Sequence, residues 1–242
     1  MVATPAHLRR SAAALGNEEV LRIRHDFPIL QQHVNGRPLV YLDSGATSQN
    51  PLSVLAAEQE FYEQRNSAVH RGAHHLAVEA TEAFENARET VADFVGAEWD
   101  ELIWTSNATE GLNLLTYSFL NASLPGAGPE PGDELVVTEM EHHANLIPWQ
   151  ELAARTGAVV KFIPIDDAGA LDLEAAAGII GPRTRVLAFT HASNVLGTIN
   201  PVAALVALAR SAGALVVLDA CQSAPHLPLD VNALDVDFAV FS

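Results

Sequence analysis

The sequence predicts an α/β fold built on a mostly parallel sheet with helices on both faces. Three observations predict it. From residue 101 onward, short β-rich runs alternate with helix-like stretches. The β-rich runs are continuously apolar, as strands covered on both faces are. The stretches between them are long enough to act as crossover helices.

The elements follow in order. Residues 17–33 read as a polar helix running into a turn at Phe27-Pro28. Leu39-Val40-Tyr41-Leu42-Asp43 is a short apolar run that enters a small-residue loop, Ser44-Gly45-Ala46-Thr47. Residues 52–65 and 77–95 carry helical periodicity, with Val78, Phe84, Val91 and Val95 on roughly one face. Six strands are expected, at 102–105, 134–139, 159–165, 185–191, 215–219 and 238–242. Helices are expected at 109–120, 145–156, 172–179 and 201–212. Residues 121–133 form the longest breaker-rich loop. No fixed-period repeat is present. Residues 1–25 read as a tail and the start of a helix, and residues 26–242 as one large domain.

Composition narrows the function. The chain has 242 residues, 49% of them apolar, enough for a sizeable core. Thirty acidic residues face thirteen basic ones, for a formal net charge of −17. A polyphosphate backbone or an anionic membrane surface would be repelled, so no nucleic-acid or membrane partner is expected. No apolar run is long enough to span a bilayer. Residues 1–16 lack the apolar stretch of a signal peptide. A lone cysteine, Cys221, allows no disulfide within the chain and fits a reducing, cytoplasmic setting. Twelve of the basic residues are arginine; the only lysine is Lys161.

In such sheets ligands sit beyond the carboxyl ends of the strands. After the first expected strand comes Ser106-Asn107-Ala108-Thr109-Glu110-Gly111. Small residues at a helix N-terminus can turn N–H groups toward a phosphate, with Thr109 adding a hydroxyl. Read alone, the same run is an ordinary cap by Asn107 or Thr109. After the second comes Glu141-His142-His143-Ala144-Asn145. An imidazole there could stack on a flat ring, though alone it reads as a surface or core histidine. After the fourth, His191-Ala192-Ser193-Asn194-Val195-Leu196-Gly197 forms a polar strand-to-helix loop. The fifth ends in Asp219-Ala220-Cys221-Gln222. A carboxylate at the end of an apolar strand needs a cationic or donor partner. A protonated pyridine nitrogen would serve, as would an ion pair or a cap. A phosphate cradle, a stacking imidazole and a carboxylate, in that order, match a pyridoxal 5'-phosphate (PLP) site.

These residues carry a resemblance to the class V aminotransferase-like cysteine desulfurases, and most closely to the sulfur-mobilisation type, which is also similar to selenocysteine lyases. It runs from about Asp26 to Ser242. It includes Asp26-Phe27-Pro28, Tyr41-Leu42-Asp43-Ser44, Val69-His70-Arg71-Gly72, Thr109-Glu110-Gly111-Leu112-Asn113, Met140 through Trp149, His191 through Thr198, and Asp237 through Ser242. The resemblance implies the large domain of the PLP-dependent transferase fold (fold type I). It implies that Thr109, the N–H groups near Ala108 and Ser242 hold the phosphate. Ala108 replaces a hydroxyl residue often found there. His142 would stack on the ring, Asp219 pair with its nitrogen and Gln222 bond its phenolic oxygen. Asn194 would lie near the substrate carboxylate, and Gly45 and Ala46 would leave room for substrate. His70 and Arg71 would approach a partner subunit in a homodimer.

The implied reaction converts L-cysteine to L-alanine and an enzyme persulfide, with a sulfur-acceptor protein as partner. Another class V PLP enzyme, such as a selenocysteine lyase or aminotransferase, is the alternative. The Schiff-base lysine, the nucleophilic cysteine, the carboxylate-clamping arginine, the sheet's last strand and the small C-terminal domain are all expected beyond Ser242. The 242 residues alone are therefore expected to be an inactive fragment, with 102–105 and 238–241 as open apolar edges. Lys161 lies inside a strand and Cys221 reads as apolar filler, so neither replaces the missing groups. His70, His74 and His75 approach zinc spacing, but Gly72 argues for a loop. Asp166-Asp167-Ala168-Gly169 reads as a turn. Glu79, Glu82, Glu85 and Arg88 read as a solvated helix face.

Overall fold

The computed structural model describes residues 15–121 and 128–242, so the tail expected at 1–16 and the centre of the loop expected at 121–133 lie largely outside the described residues. The chain divides into two compact units at Glu89/Thr90.

The first unit opens with α1 (Asn17–His25), which has Glu18 and Glu19 in its first turn and Arg22, Arg24 and His25 in its last. That order complements the helix dipole. The helix does not reach residue 33. Pro28 forces Phe27 into an extended conformation (φ −112°, ψ 99°), and a 3-10 turn follows at Pro28–Gln31. A small hairpin then pairs β1 (His33–Val34) with β2 (Arg37–Pro38). Its two-residue loop, Asn35-Gly36, has positive φ at both positions, as a tight hairpin turn requires. The Arg24 guanidinium donates to the Leu30 carbonyl at 2.6 Å, tying α1 to the segment beyond it. Then come α2 (Leu52–Glu60), which ends in a π-helical turn at Phe61–Arg65, and α3 (His75–Val95).

The second unit contains α4 (Ala108–Leu120), β3 (Glu134–Thr138), α5 (Ile147–Thr156), β4 (Val159–Ile163), α6 (Leu173–Ile179), β5 (Thr184–Thr190), α7 (Val202–Ala212), β6 (Leu215–Asp219), α8 (Val231–Leu234) and β7 (Phe238–Val240). The five strands β3 to β7 form one parallel sheet in the order β4-β3-β5-β6-β7. Alternate side chains enter two cores. Val136, Leu187, Phe189, Val216 and Leu218 pack with Ala176 of α6 and with Val202, Leu205, Val206 and Ala209 of α7. Leu135, Val137, Val186, Ala188 and Val217 pack with Leu112 of α4 and with Trp149, Leu152 and Ala153 of α5. Helices therefore cover both faces, as the apolar runs predict.

The expected strand at 102–105 is absent from this sheet, which has five strands rather than six. Apolar content marks the segment, but a strand requires a backbone ladder with a neighbour. Ile103 and Trp104 stay exposed (69% and 43%). β7 forms one edge of the sheet and is shorter than the expected 238–242.

Candidate functional site

Parallel strands bring their carboxyl ends to one side. Thr190, Asp219 and Val240 stand in register there, as do Thr138 and Ile163. The loops that leave these ends carry most of the candidate residues.

Asp219 is the last residue of β6 and only 5% exposed. One carboxylate oxygen accepts the Cys221 N–H at 3.0 Å. Among the described residues no arginine or lysine pairs with it. The neighbouring carboxyl of Glu141 raises the electrostatic demand further. A buried acid so placed fits a cationic ligand. The pyridinium nitrogen of PLP is such a group.

The α4 N-terminus meets the end of β7. Asn107 caps α4, its side chain accepting the Glu110 N–H at 2.9 Å. The expectation of a cap is met by Asn107, and it leaves Ala108 free for another role. The Ala108 N–H donates to the Ser242 hydroxyl at 3.3 Å, bridging 134 residues of sequence. Thr109 is exposed at the second helical position. The Glu110 carboxylate folds back onto the Ser106 N–H, which holds it below the usual carboxylate range. This helix end, with two hydroxyl residues beside it, suits a phosphate.

His142 is exposed and begins the 3-10 turn at His143–Asn145; its Nδ1 accepts the Ala144 N–H at 3.1 Å. Its ring lies 6.2 Å from that of His143, tilted by 44°. Asn194 sits at the exposed tip of a turn in which the Ser193 hydroxyl accepts the Leu196 N–H at 3.1 Å. Gln222 is half-buried, three residues beyond Asp219. These residues, with Ala108, Thr109 and Ser242, all belong to the second unit.

Gly45 and Ala46 belong to the first unit. They lie in an exposed turn closed by the Ala46 N–H donating to the Asp43 carbonyl at 3.1 Å, and by the Tyr41 hydroxyl donating to the Thr47 carbonyl at 2.7 Å. A Cβ on Gly45 would meet nothing within 4 Å.

Lys161 lies in β4, and its ammonium pairs with Glu134 at 2.8 Å. Glu134 begins β3, at the amino ends of the strands. Lys161 is thus engaged on the side of the sheet opposite Asp219. Burial pushes the Cys221 thiol up to about 12, with the Asp219 charge acting in the same direction. It is no ready nucleophile. In the first unit, His70 pairs with Glu85 at 2.9 Å and His75 with Glu79 at 3.2 Å, while His74 accepts the Ala77 N–H. Asp166 accepts the Ala168 and Ala170 N–H groups, which makes the acidic run a turn.

Two residues stand out that sequence reasoning left inside longer motifs. Glu141 joins three elements through its carboxyl group, which burial pushes up to about 7. Its signal was the flanking Thr138 and Asn145, both able to donate to it. His191 is buried, with an Nδ1 that has no hydrogen-bond partner among the described residues, and burial lowers its pKa.

A family model described as aminotransferase class V matches residues 40–242. The chain is 54% identical to a probable cysteine desulfurase 2 of Mycobacterium leprae, over 91% of this chain and 52% of that protein. It superposes on an apo cysteine desulfurase of Thermococcus onnurineus with a TM-score of 0.84 at 38% identity, covering 96% of this chain and 54% of the other. It also superposes on a C-DES mutant with glycine covalently linked to its PLP cofactor, with a TM-score of 0.75 at 26% identity. That match covers 90% of this chain and 55% of the other. The chain spans about half the length of the curated relatives it matches. Among the described residues no helix is long and apolar enough to cross a membrane.

Proposed function

Because the chain belongs to the aminotransferase class-V family, we propose that it forms the cofactor-holding half of a PLP-dependent cysteine desulfurase acting on L-cysteine. One observation carries this reading. Asp219 is a buried carboxylate at the end of β6 with no arginine or lysine partner among the described residues, on the side of the sheet where Ser242 meets the α4 N-terminus.

When bound, PLP supplies an electron sink for charge that develops at the substrate Cα. The chain's own residues hold and orient it. Asp219 holds the pyridine nitrogen protonated. His142 stacks on the ring. Thr109, Ser242 and the N–H groups around Ala108 bind the phosphate, and Gln222 bonds the phenolic oxygen. Asn194 orients the substrate carboxylate, and the Gly45-Ala46 turn leaves space for substrate. A homodimer, a sulfur-acceptor protein and a cytoplasmic setting belong to the same reading.

Lys161 takes no part. Its ammonium is bound to Glu134 at the amino ends of the strands, out of reach of a cofactor at Asp219. These residues therefore hold PLP without a covalent link and do not desulfurate cysteine alone.

PLP titration of the chain, followed by absorbance, should show saturable binding that Asp219→Ala weakens. Borohydride reduction should trap no adduct. A borohydride-stable adduct on Lys161 would overturn the assignment. Substrate class is tested in a fusion of these residues to the second half of a cysteine desulfurase relative. Alanine should be released from L-cysteine; transamination instead would refute the desulfurase reading.

A further inference from the structure

We infer that Glu141 is a positioning residue of this site, clamping the loop that carries His142 against the strand end beside Asp219. The inference rests on the PLP reading above and names a residue that reading does not use.

Glu141 follows β3 and lies one residue before His142. The Thr138 hydroxyl at the end of β3 and the Thr190 N–H at the end of β5 both meet its Oε1, the latter at 3.0 Å. Oε2 accepts the Asn145 side-chain amide at 2.6 Å. Asn145 is fully buried and accepts the Trp149 indole N–H at 3.0 Å, and Trp149 is fully buried in α5. The Asn145 backbone N–H donates to the His142 carbonyl at 2.8 Å. One carboxyl group thus joins β3, β5 and the His142 turn. Thr190, which it holds, is the register partner of Asp219. Both PLP-facing groups, the imidazole and the acid, are set from this point.

The wiring is more than a loop requires. Glu141 is only half-buried as a residue, yet its carboxyl lies deep among protein groups. Thr138, Thr190 and Asn145 all donate to it, and a neutral amide, with a single acceptor oxygen, would satisfy only part of that set. Burial raises its pKa most, opposed by the bonds from Thr138, Asn145 and Thr190, and the Asp219 charge raises it further. The other titratable groups near these strand ends are Glu139, His142, His143, His191 and Cys221. A network that is satisfied throughout rigidifies what it holds.

The test compares Glu141→Gln and Glu141→Ala in the full 242-residue chain with two readouts. In the ligand-free chain, NMR should show the Thr190 backbone amide and the Asn145 side-chain amide signals titrating together near pH 7. That titration should vanish in both variants, and Glu141→Ala should displace the His142 and Thr190 signals further than Glu141→Gln does. In PLP titration, Glu141→Ala should weaken binding about tenfold, and Glu141→Gln, which keeps one acceptor oxygen, should weaken it less. If the His142 and Thr190 signals of both variants match the parent chain, the inference is wrong whether or not PLP binds. If they respond as expected while the parent chain binds no PLP, the positioning role stands and the PLP reading falls. Should Glu141→Ala not fold, Glu141→Gln decides alone, and an unchanged titration in it refutes the inference.

Discussion

The two ends of the parallel sheet solve the same electrostatic problem in opposite ways. At the amino ends, acids are matched with cations, the buried Glu134 among them. Glu134 is 4% exposed and receives both Lys161 at 2.8 Å and Arg183 at 2.7 Å. Asp133 pairs with Arg185 at 2.9 Å, which with the Glu130 N–H holds its pKa low against burial. Arg210 bonds Asp237 at 2.7 Å and Asp235 at 3.2 Å, and Asp237 also accepts the Val216 N–H at 2.7 Å. At the carboxyl ends Asp219 and Glu141 lie near each other, and among the described residues neither pairs with an arginine or lysine. One end is finished for stability; the other leaves negative potential where a cationic ring would sit. Unmatched charge of this kind marks functional sites.

Four experiments would break or sharpen that contrast. The first is at the matched end. Glu134→Ala should cost about 1 kcal/mol in urea unfolding, because the carboxylate is buried but its partners Lys161 and Arg183 keep 37% and 70% of their side chains exposed. No measurable loss would mean that the pairing does not stabilise this end and the contrast is false.

Next is Glu141→Gln, read as stability against pH. The folded carboxyl holds its proton to about pH 7, against 4.5 for the ordinary group. Between these values the folded state binds more protons than the unfolded one, so Glu141's contribution falls as pH rises and is level above the window. The variant should gain on the parent chain across that range, reaching about 3 kcal/mol at pH 8.5. A difference independent of pH would show that Glu141 titrates normally in the fold.

Asp219→Asn should lower PLP affinity ten- to a hundredfold, the equivalent of about 2 kcal/mol for a charge-assisted bond. Unchanged affinity would show that the acid faces no cationic ligand. The smallest consequence concerns Cys221. With its thiol pushed up to about 12, alkylation by iodoacetamide at pH 8 should run about a thousandfold slower than for free cysteine, and Cys221→Ala should leave PLP binding unchanged. Rapid labelling would mean that the strand end opens.

Much of this was legible in the sequence because it is local. Continuous apolar runs show strands β3 to β6, and their alternation into two cores follows from the period of two. Pro28 and Asn35-Gly36 are punctuation that any chain must obey. The segment at 102–105 was misread because strand propensity says nothing about whether a ladder partner is present. The Asp166 turn is again local, its two N–H bonds lying within four residues.

The sequence by itself determined the α/β alternation, the motif residues and the absence of any lysine other than Lys161. Only the tertiary structure decided the rest. It tied the Lys161 ammonium to Glu134 at the amino end of β3, brought Ser242 to the Ala108 N–H across 134 residues, and made Glu141 a junction of β3, β5 and the His142 turn. The physical reason is that desolvation and pairing of charge depend on what neighbours in space supply, and parallel strand order, not sequence order, sets those neighbours.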